Sequence, residues 1–333
     1  MSPVLAPYAA APPFSRSSPL FIVLNAGSGH SDTDEVRRSI EHACDMAGRH
    51  HRIFLIDGPG RVQALAEEAV ACAKAQNGVV VAAGGDGTIN TVAQATLGKG
   101  CVFGVLPQGT FNYFSRANGI PPATEAALEV LLNESPRAVQ VGTVNDRVFL
   151  VNASMGLYAE LLEEREAVKR EYGRSRAIAF GAALMTLLRG HPHWDLHLDF
   201  HGEQRDIRTP TLFVGNNPLQ LHQVGIPEAE QLENEHLLAA VALKPAGVFG
   251  LAGLLLRGIF GKLGNTDAVT SFTFETLTVA RRRTGRSQGS RRIKVATDGE
   301  VGWLDMPLVF RVAPEPLWLI RPEVAPELEA AKQ

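Results

Sequence analysis

Asp86, Asp298 and Glu300 are the carboxylates whose neighbours could put them to chemical use. Asp86 lies in Gly84-Gly85-Asp86-Gly87-Thr88, directly after the β-branched run Val79-Val80-Val81 and before Ile89-Asn90-Thr91-Val92, where the pattern turns helical. A strand, a tight turn and a helix start are expected in that order. The glycines permit positive φ and let a ligand reach the backbone, and the helix start offers unpaired N–H groups at a positive dipole end. An anion suits such a turn, phosphate above all. A carboxylate beside a phosphate is repulsive unless a divalent cation lies between them or the carboxylate faces an acceptor hydroxyl. Asp86 therefore points to metal-assisted phosphate chemistry. Taken alone, the turn reads equally well as a glycine-rich connection with Asp86 as a helix cap.

Three further motifs keep it company. Asn25-Ala26-Gly27-Ser28-Gly29 follows the apolar run Leu20 to Leu24, and Pro107-Gln108-Gly109-Thr110-Phe111-Asn112 follows Cys101 to Leu106, with Thr110 placed to cap the next helix and to donate to a phosphate. Asp298-Gly299-Glu300 sits as a turn between Lys294-Val295-Ala296 and Val301-Gly302-Trp303. By itself the first is an ordinary loop and the last a solvated hairpin tip. In this order, the motifs resemble the diacylglycerol kinase catalytic-domain family of lipid kinases, which includes the sphingosine and ceramide kinases, over about Leu20 to Pro322.

The resemblance implies an ATP site made by Asn25, Gly27, Ser28 and Gly29, by Gly84, Gly85, Asp86, Gly87, Thr88 and Asn90, and by Gly109, Thr110 and Asn112. It implies Mg2+ carried by the nucleotide and reached through Asp86. A lipid hydroxyl is a poor nucleophile, so a proton acceptor is required as the phosphoryl group transfers. In the family this is the acidic residue of the last motif, so Glu300 is the first candidate and Asp298 the second, since Asp298 can instead orient the site or help hold the metal. The expected reaction moves the γ-phosphoryl group of ATP to a hydroxyl of a diacylglycerol-like or long-chain lipid. Two positions depart from the family pattern. Tyr113 stands where an Asp usually follows Asn112, and Asn234, in Gln231-Leu232-Glu233-Asn234-Glu235-His236, stands where a carboxylate would hold an accessory magnesium. Two rivals follow. An NAD-kinase-like enzyme shares the glycine turn but needs an Asn-Glu motif in surroundings that Asn133-Glu134 and Asn234-Glu235 lack. A non-catalytic lipid- or nucleotide-binding relative is the other.

The elements that must position these residues alternate. Apolar strands at Leu20 to Leu24, Ile53 to Ile56, Val79 to Val81 and Cys101 to Leu106 are separated by helical patterns carrying Val36, Ile40 and Cys44, then Leu65, Ala66, Ala69 and Val70. That is an α/β arrangement with a parallel sheet, whose ligands sit outside the carboxyl ends of the strands. Neither Gly-x-x-x-x-Gly-Lys-Ser/Thr nor Gly-x-Gly-x-x-Gly occurs in these loops, which disfavours P-loop and dinucleotide fingerprints. After Pro121-Pro122 and a helix over Glu125 to Leu132 the texture changes to short strands: Val139 to Val144, Val148 to Ala153, His193 to His201, Thr211 to Gly215, Leu238 to Leu243, Ser271 to Ala280, Arg292 to Ala296 and Leu308 to Val312. They predict an antiparallel domain interrupted by helical insertions at Tyr158 to Tyr172, Ile178 to Leu188 and Val248 to Leu263. The resemblance makes this domain a β-sandwich, with the active site in the cleft between the domains. The expected division is a loose tail over 1–18, an ATP-binding domain over 19–137, a lipid-substrate domain over 138–313, and a terminal segment over 314–333 returning to the first domain.

Composition sets the outer bounds. A chain of 333 residues, 45% hydrophobic and 20% charged, is globular material with enough length for two cores. Its net charge of −3 gives no global attraction to nucleic acid. A local patch exists in Arg281, Arg282, Arg283, Arg286, Arg291, Arg292 and Lys294, which reads either as a solvated hairpin or as a surface for anionic lipid, at roughly 1 kcal/mol per basic residue. Cys44, Cys72 and Cys101 lack ligand spacing and read as reduced core residues. The N-terminal residues carry no signal-peptide pattern. No uncharged run reaches the roughly 18 residues that span a bilayer, since Ala246 to Leu263 is broken by Arg257 and Lys262. A cytoplasmic protein, peripheral to the inner face of the membrane, is the expectation.

Overall fold

The computed structural model describes residues 10–25, 33–58, 60–157, 159–160, 193–223, 225–228, 232, 236–245, 268–282 and 292–323. The chain forms two units, one made of residues 1–141 and 313–333 and the other of residues 142–312.

In the first unit, β1 (Leu20–Asn25), β2 (His51–Ile56), β3 (Val79–Gly84) and β4 (Val102–Pro107) are parallel and are linked by α1 (Thr33–Met46), α2 (Val62–Gln76) and α3 (Asp86–Thr96). Every residue of β3 and β4 is buried. Such strands need an apolar face on both sides, which is why their sequences do not alternate. Helix α1 buries Val36, Ile40 and Cys44, one per turn. After α4 (Tyr113–Ala117) and α5 (Thr124–Asn133), β5 (Pro136–Val139) ends the first pass through this unit. The chain returns as β18 (Leu317–Ile320), parallel to β4 and antiparallel to β5. The sheet order is β2-β1-β3-β4-β18-β5. Chain direction along the sheet reverses at β1, so β1 and β3 flank the switch point at which open α/β sheets bind ligands.

The second unit holds β6 (Gly142–Val144), β7 (Arg147–Phe149), β8 (Asn152–Gly156), β9 (Trp194–Phe200), β10 (Glu203–Thr209), β11 (Thr211–Gly215), the short α6 (Pro218–Gln223), β12 (Leu238–Leu243), β13 (Val269–Phe274), β14 (Thr276–Arg281), β15 (Arg292–Thr297), β16 (Glu300–Asp305) and β17 (Leu308–Val312). They build two antiparallel six-stranded sheets, β10-β9-β14-β17-β6-β7 and β13-β12-β11-β8-β15-β16. Phe149, Leu198, Leu277 and Phe310 from one sheet share a buried core with Met155, Leu212, Phe274 and Val295 from the other, which makes the unit a sandwich.

Several strand expectations change in detail. The run Ser271 to Ala280 is two strands in different sheets, parting at Glu275. The inward positions move there from the parity of Phe274 to that of Leu277 and Val279, all three fully buried. Because side chains alternate along a strand, a parity slip requires a break. Val139 to Val144 divides between β5 and β6, and Val148 to Ala153 between β7 and β8. β10 escaped the apolar pattern because its residues are mostly exposed on a sheet edge. Cys44 and Cys101 are buried, whereas Cys72 is only half-buried beside Arg52. Residues 1–9, the helical insertions proposed at 158–172, 178–188 and 248–263 and the last residues, 324–333, lie outside the described residues, apart from Ala159 and Glu160.

Candidate functional site

The turn after β3 is built by close approach. Gly85 precedes α3 with φ −80° and ψ 178°, an extended conformation open to any residue. Gly84, Gly85 and Gly87 are not among the positive-φ glycines. The positive φ that glycine permits is not used here, and packing supplies a further reason for glycine. A Cβ on Gly84 would lie 2.7 Å from the Cβ of Thr88. Thr88 is buried at 6% exposure, and its Oγ1 accepts a hydrogen bond from Asn25 Nδ2 at 2.8 Å. That bond ties the end of β1 to the start of α3, across the switch point. Gly27, Ser28 and Gly29 lie outside the described residues.

The turn after β4 locks onto the first. Gln108 N–H donates to the Gly84 carbonyl at 2.8 Å. Asn112 then closes the loop on itself: its Oδ1 accepts from Gly109 N–H at 3.1 Å and its Nδ2 donates to the Gly109 carbonyl at 2.9 Å. Asn112 adopts φ 48°, in the left-handed region that Asn tolerates better than most residues. A Cβ on Gly109 would sit 2.8 Å from Asn112 Oδ1 and 3.0 Å from Gly85 Cα, so the two turns touch through their glycines. Asn112, not Thr110, occupies the position before α4, and no side chain caps that helix. Thr110 is exposed, which leaves its hydroxyl available to a ligand. Tyr113 stacks on the exposed Phe111 with ring centroids 5.9 Å apart, and Phe114 is buried.

Asp86 sits where the turns meet. Its Oδ2 accepts from Asn112 N–H at 3.1 Å, while its Oδ1 is buried and has no hydrogen-bond partner. Burial pushes the carboxyl above its ordinary value, against backbone hydrogen bonds that pull it down. A desolvated hard oxygen without a donor fits a cation such as Mg2+. Among the described residues no group of three His, Cys, Asp or Glu gathers to hold a metal alone. Alongside runs a cleft of about 410 Å³ lined in part by Glu35, Ser39, Gln108, Gly109, Asn112 and Thr124. Gln108 Nε2 donates to Thr124 Oγ1 at 3.2 Å across it. Gln108 and Thr124 were not singled out from the sequence; the Pro-Gln-Gly-Thr motif and the helix start after Pro121-Pro122 are the signals that mark them. Asn90 lies on α3, half-buried.

The second unit holds the other acidic motif. Asp298 and Gly299, with φ 50° and 91°, form the two-residue turn that joins β15 to β16. The Asp298 carboxylate accepts three backbone N–H groups: Leu150 at 2.7 Å, Val151 at 2.8 Å and Asn152 at 3.0 Å. Its own N–H donates to the Asn152 carbonyl at 2.9 Å. These bonds fill the gap between β7 and β8, which is why the apolar run breaks there. Glu300, the first residue of β16 and opposite Thr297, is exposed. Of the basic run, Arg281 lies over Trp194 at 5.3 Å and Arg282 pairs with Asp206 at 3.1 Å. Lys294 lies over the exposed ring of Trp303 at 5.5 Å, and Arg292 begins β15. Arg283, Arg286, Arg291 and Asn234 lie outside the described residues.

Residues 19–144 match the model of the diacylglycerol kinase catalytic domain. A protein of Pseudomonas aeruginosa named a probable lipid kinase, YegS-like, is 39% identical over 125 residues, which are 37% of this chain and 40% of that one. The chain thus spans about two fifths of the length of that relative. A protein of the same name from Pseudomonas fluorescens is 29% identical over 311 residues, covering 90% of this chain and 94% of its own. The crystal structure of a diacylglycerol kinase from Bacillus anthracis strain Sterne superposes with a TM-score of 0.67 at 17% identity, over 92% of this chain and 98% of that one, which is a likeness of fold.

Proposed function

With residues 19–144 belonging to the diacylglycerol kinase catalytic-domain family, we propose that the protein transfers the γ-phosphoryl group of ATP to a hydroxyl of a diacylglycerol-like or long-chain lipid. The observation that carries this reading is the meeting of two glycine turns at the β1/β3 switch point around a carboxylate oxygen that no protein group satisfies. The phosphates lie against the free N–H groups at the start of α3, where the dipole favours negative charge. The absence of a Cβ at Gly85 and Gly109 lets the two turns touch, Gly84 leaves room for Thr88, and Asn25 donates to the Thr88 hydroxyl. Thr110, exposed at the rim, donates to a phosphate oxygen. Mg2+ brought with the nucleotide supplies charge neutralisation on the phosphate oxygens, and Asp86 Oδ1 is the protein atom suited to hold it there.

Glu300 takes the hydroxyl proton in this reading. Its carboxylate is exposed, whereas both oxygens of Asp298 are committed to the β7–β8 connection. Asp298 is accordingly the residue that fixes the hairpin from which Glu300 projects. Because the acceptor is a lipid, the enzyme works at a membrane surface, and no helix among the described residues is long and apolar enough to cross one. The basic run supplies positive charge for anionic headgroups, and its described members are Arg281, Arg282, Arg292 and Lys294.

The reading is tested by incubating the protein with ATP labelled at the γ-phosphate, Mg2+ and an extracted lipid pool. Label in the organic phase, with a mobility that identifies the product, supports lipid phosphorylation. Label found only in a water-soluble product contradicts it.

A further inference from the structure

Arg137 on β5 stands opposite Leu319 of β18 in the ladder at the edge of the first unit's sheet. Arg321 follows Leu319 by two residues, and alternation along the chain returns it to the face that carries Arg137. Diagonal neighbours of this kind lie roughly 7–8 Å apart at Cα, within reach of side chains as long as arginine. The Nε atoms of both residues are buried and have no acceptor. Among the described residues Arg137 pairs with Glu323 at 3.6 Å, through a Glu323 side chain that is 79% exposed. A contact that long and that wet contributes little, and it leaves both Nε donors unmet. Burial, and then the neighbouring charge of Arg137, pull the Arg321 guanidinium down from its ordinary value. A guanidinium keeps its proton inside proteins, so the fold brings two positive charges together with the Nε of each turned away from water.

Buried donors without acceptors are uncommon in native proteins, and an ion is one of the few things that accounts for them. We propose that Arg137 and Arg321 form a binding site for an oxyanion of the phosphate class, present either as free phosphate or as the headgroup of an anionic lipid. Two planar forks can each grip a pair of oxygens on one tetrahedral anion, and the bound charge removes the repulsion between them. The site lies on the β18–β5 edge, and both strands belong to the first unit. It shares no residue with the glycine turns, so it stands or falls independently of the proposed kinase reaction.

Thermal unfolding of the full chain in rising inorganic phosphate tests the proposal, with Arg137→Met and Arg321→Met as variants that keep the aliphatic stem. A ligand that binds only the native state raises Tm with its concentration. The expected result is a phosphate-dependent rise in the wild type that is reduced in both variants, together with a higher Tm for Arg321→Met than for wild type when phosphate is absent. Any rise common to all three proteins comes from elsewhere, from phosphate on the glycine turn or from the general stabilisation by an excluded salt, and is subtracted. Equal responses in wild type and both variants, or no response in any of them, would overturn the site. Flotation with phosphatidylglycerol vesicles against phosphatidylcholine vesicles separates the two sources. Loss of phosphatidylglycerol binding in both variants assigns the site to a headgroup, and undiminished flotation beside a lost phosphate response assigns it to the free ion.

Discussion

Asp86 and Asp298 each precede a glycine at a tight turn, yet the two carboxylates are used in opposite ways. Asp298 spends both oxygens on three backbone donors and so pins the β7–β8 connection to the β15–β16 hairpin. Asp86 spends one oxygen on Asn112 and leaves the other buried and unmatched. A hydrogen-bonded carboxylate stabilises a fold; a desolvated one with an empty acceptor destabilises it until something with positive charge arrives. The difference separates a structural tie from a candidate site, although the two read alike as Asp-Gly in the sequence.

The contrast extends to the glutamate next door, where the largest effect is expected. Glu300→Gln should lower lipid phosphorylation by about 10²–10⁴-fold, the usual contribution of a positioned proton acceptor, while the urea midpoint moves by no more than a surface substitution would. Steady-state label transfer and a denaturation curve on the same preparation decide it; turnover within a few-fold of wild type removes Glu300 from the mechanism. Asp298→Ala should do the reverse first. It strands three N–H groups and costs about 3 kcal/mol of stability, the low end of the ~1–3 kcal/mol for each unsatisfied donor. A urea midpoint unchanged by Asp298→Ala would mean that the tie carries no weight.

The glycines sharpen the same comparison within the first unit. Gly109→Ala should destabilise by about 1–3 kcal/mol and weaken ATP binding, because its Cβ meets Asn112 Oδ1 and the Gly85 backbone, neither of which can move alone. Gly85→Ala should change stability by less than about 0.5 kcal/mol, since its Cβ meets only Gly109 Cα at 3.6 Å and its φ is ordinary. Calorimetry with ATP on the two variants would show which glycine the turn depends on, and equal losses would contradict the packing account.

The smallest effect has the opposite sign. Because burial raises the Asp86 carboxyl in the folded state, the native protein holds that proton more tightly than the unfolded chain does. Ionising it therefore opposes folding, and the penalty appears as pH rises through the ordinary carboxylate value of 3.8 and on past the raised one. Asp86→Asn should unfold at a slightly higher temperature than wild type at neutral pH in the absence of Mg2+, with the gain fading as pH falls toward that ordinary value. A gain that persists unchanged in acid would assign it to something other than the charge.

Much of this architecture is legible in the chain. Continuous apolar runs at Leu20, Val79 and Val102 mark buried parallel strands, and the motifs at their ends mark the ligand side of the sheet. The sandwich is legible as short strands, but its sheet changes are not, because the break at Glu275 is written only as a parity slip between Phe274 and Leu277. The roles of the carboxylates are not legible either. Nothing near Asp298 in sequence announces Leu150, Val151 and Asn152, whose N–H groups come from roughly 150 positions away. The glycines at Gly84 and Gly109 were visible as motif residues, but the packing they permit was not: a Cβ would meet Thr88 at the first and Asn112 at the second, both brought there by the fold. Asn112 was visible as a motif residue and hidden as the clamp of its own loop.

The division of labour between the two aspartates is tested most directly by calorimetric titration of ATP with and without Mg2+ into Asp86→Asn and Asp298→Asn, at a temperature where both are folded. The account predicts that Asp298→Asn binds ATP more tightly with Mg2+ than without it, as the wild type does, and that Asp86→Asn loses this dependence on Mg2+. An Asp86→Asn protein that keeps the full Mg2+ dependence, beside a folded Asp298→Asn protein that has lost it, would contradict the assignment.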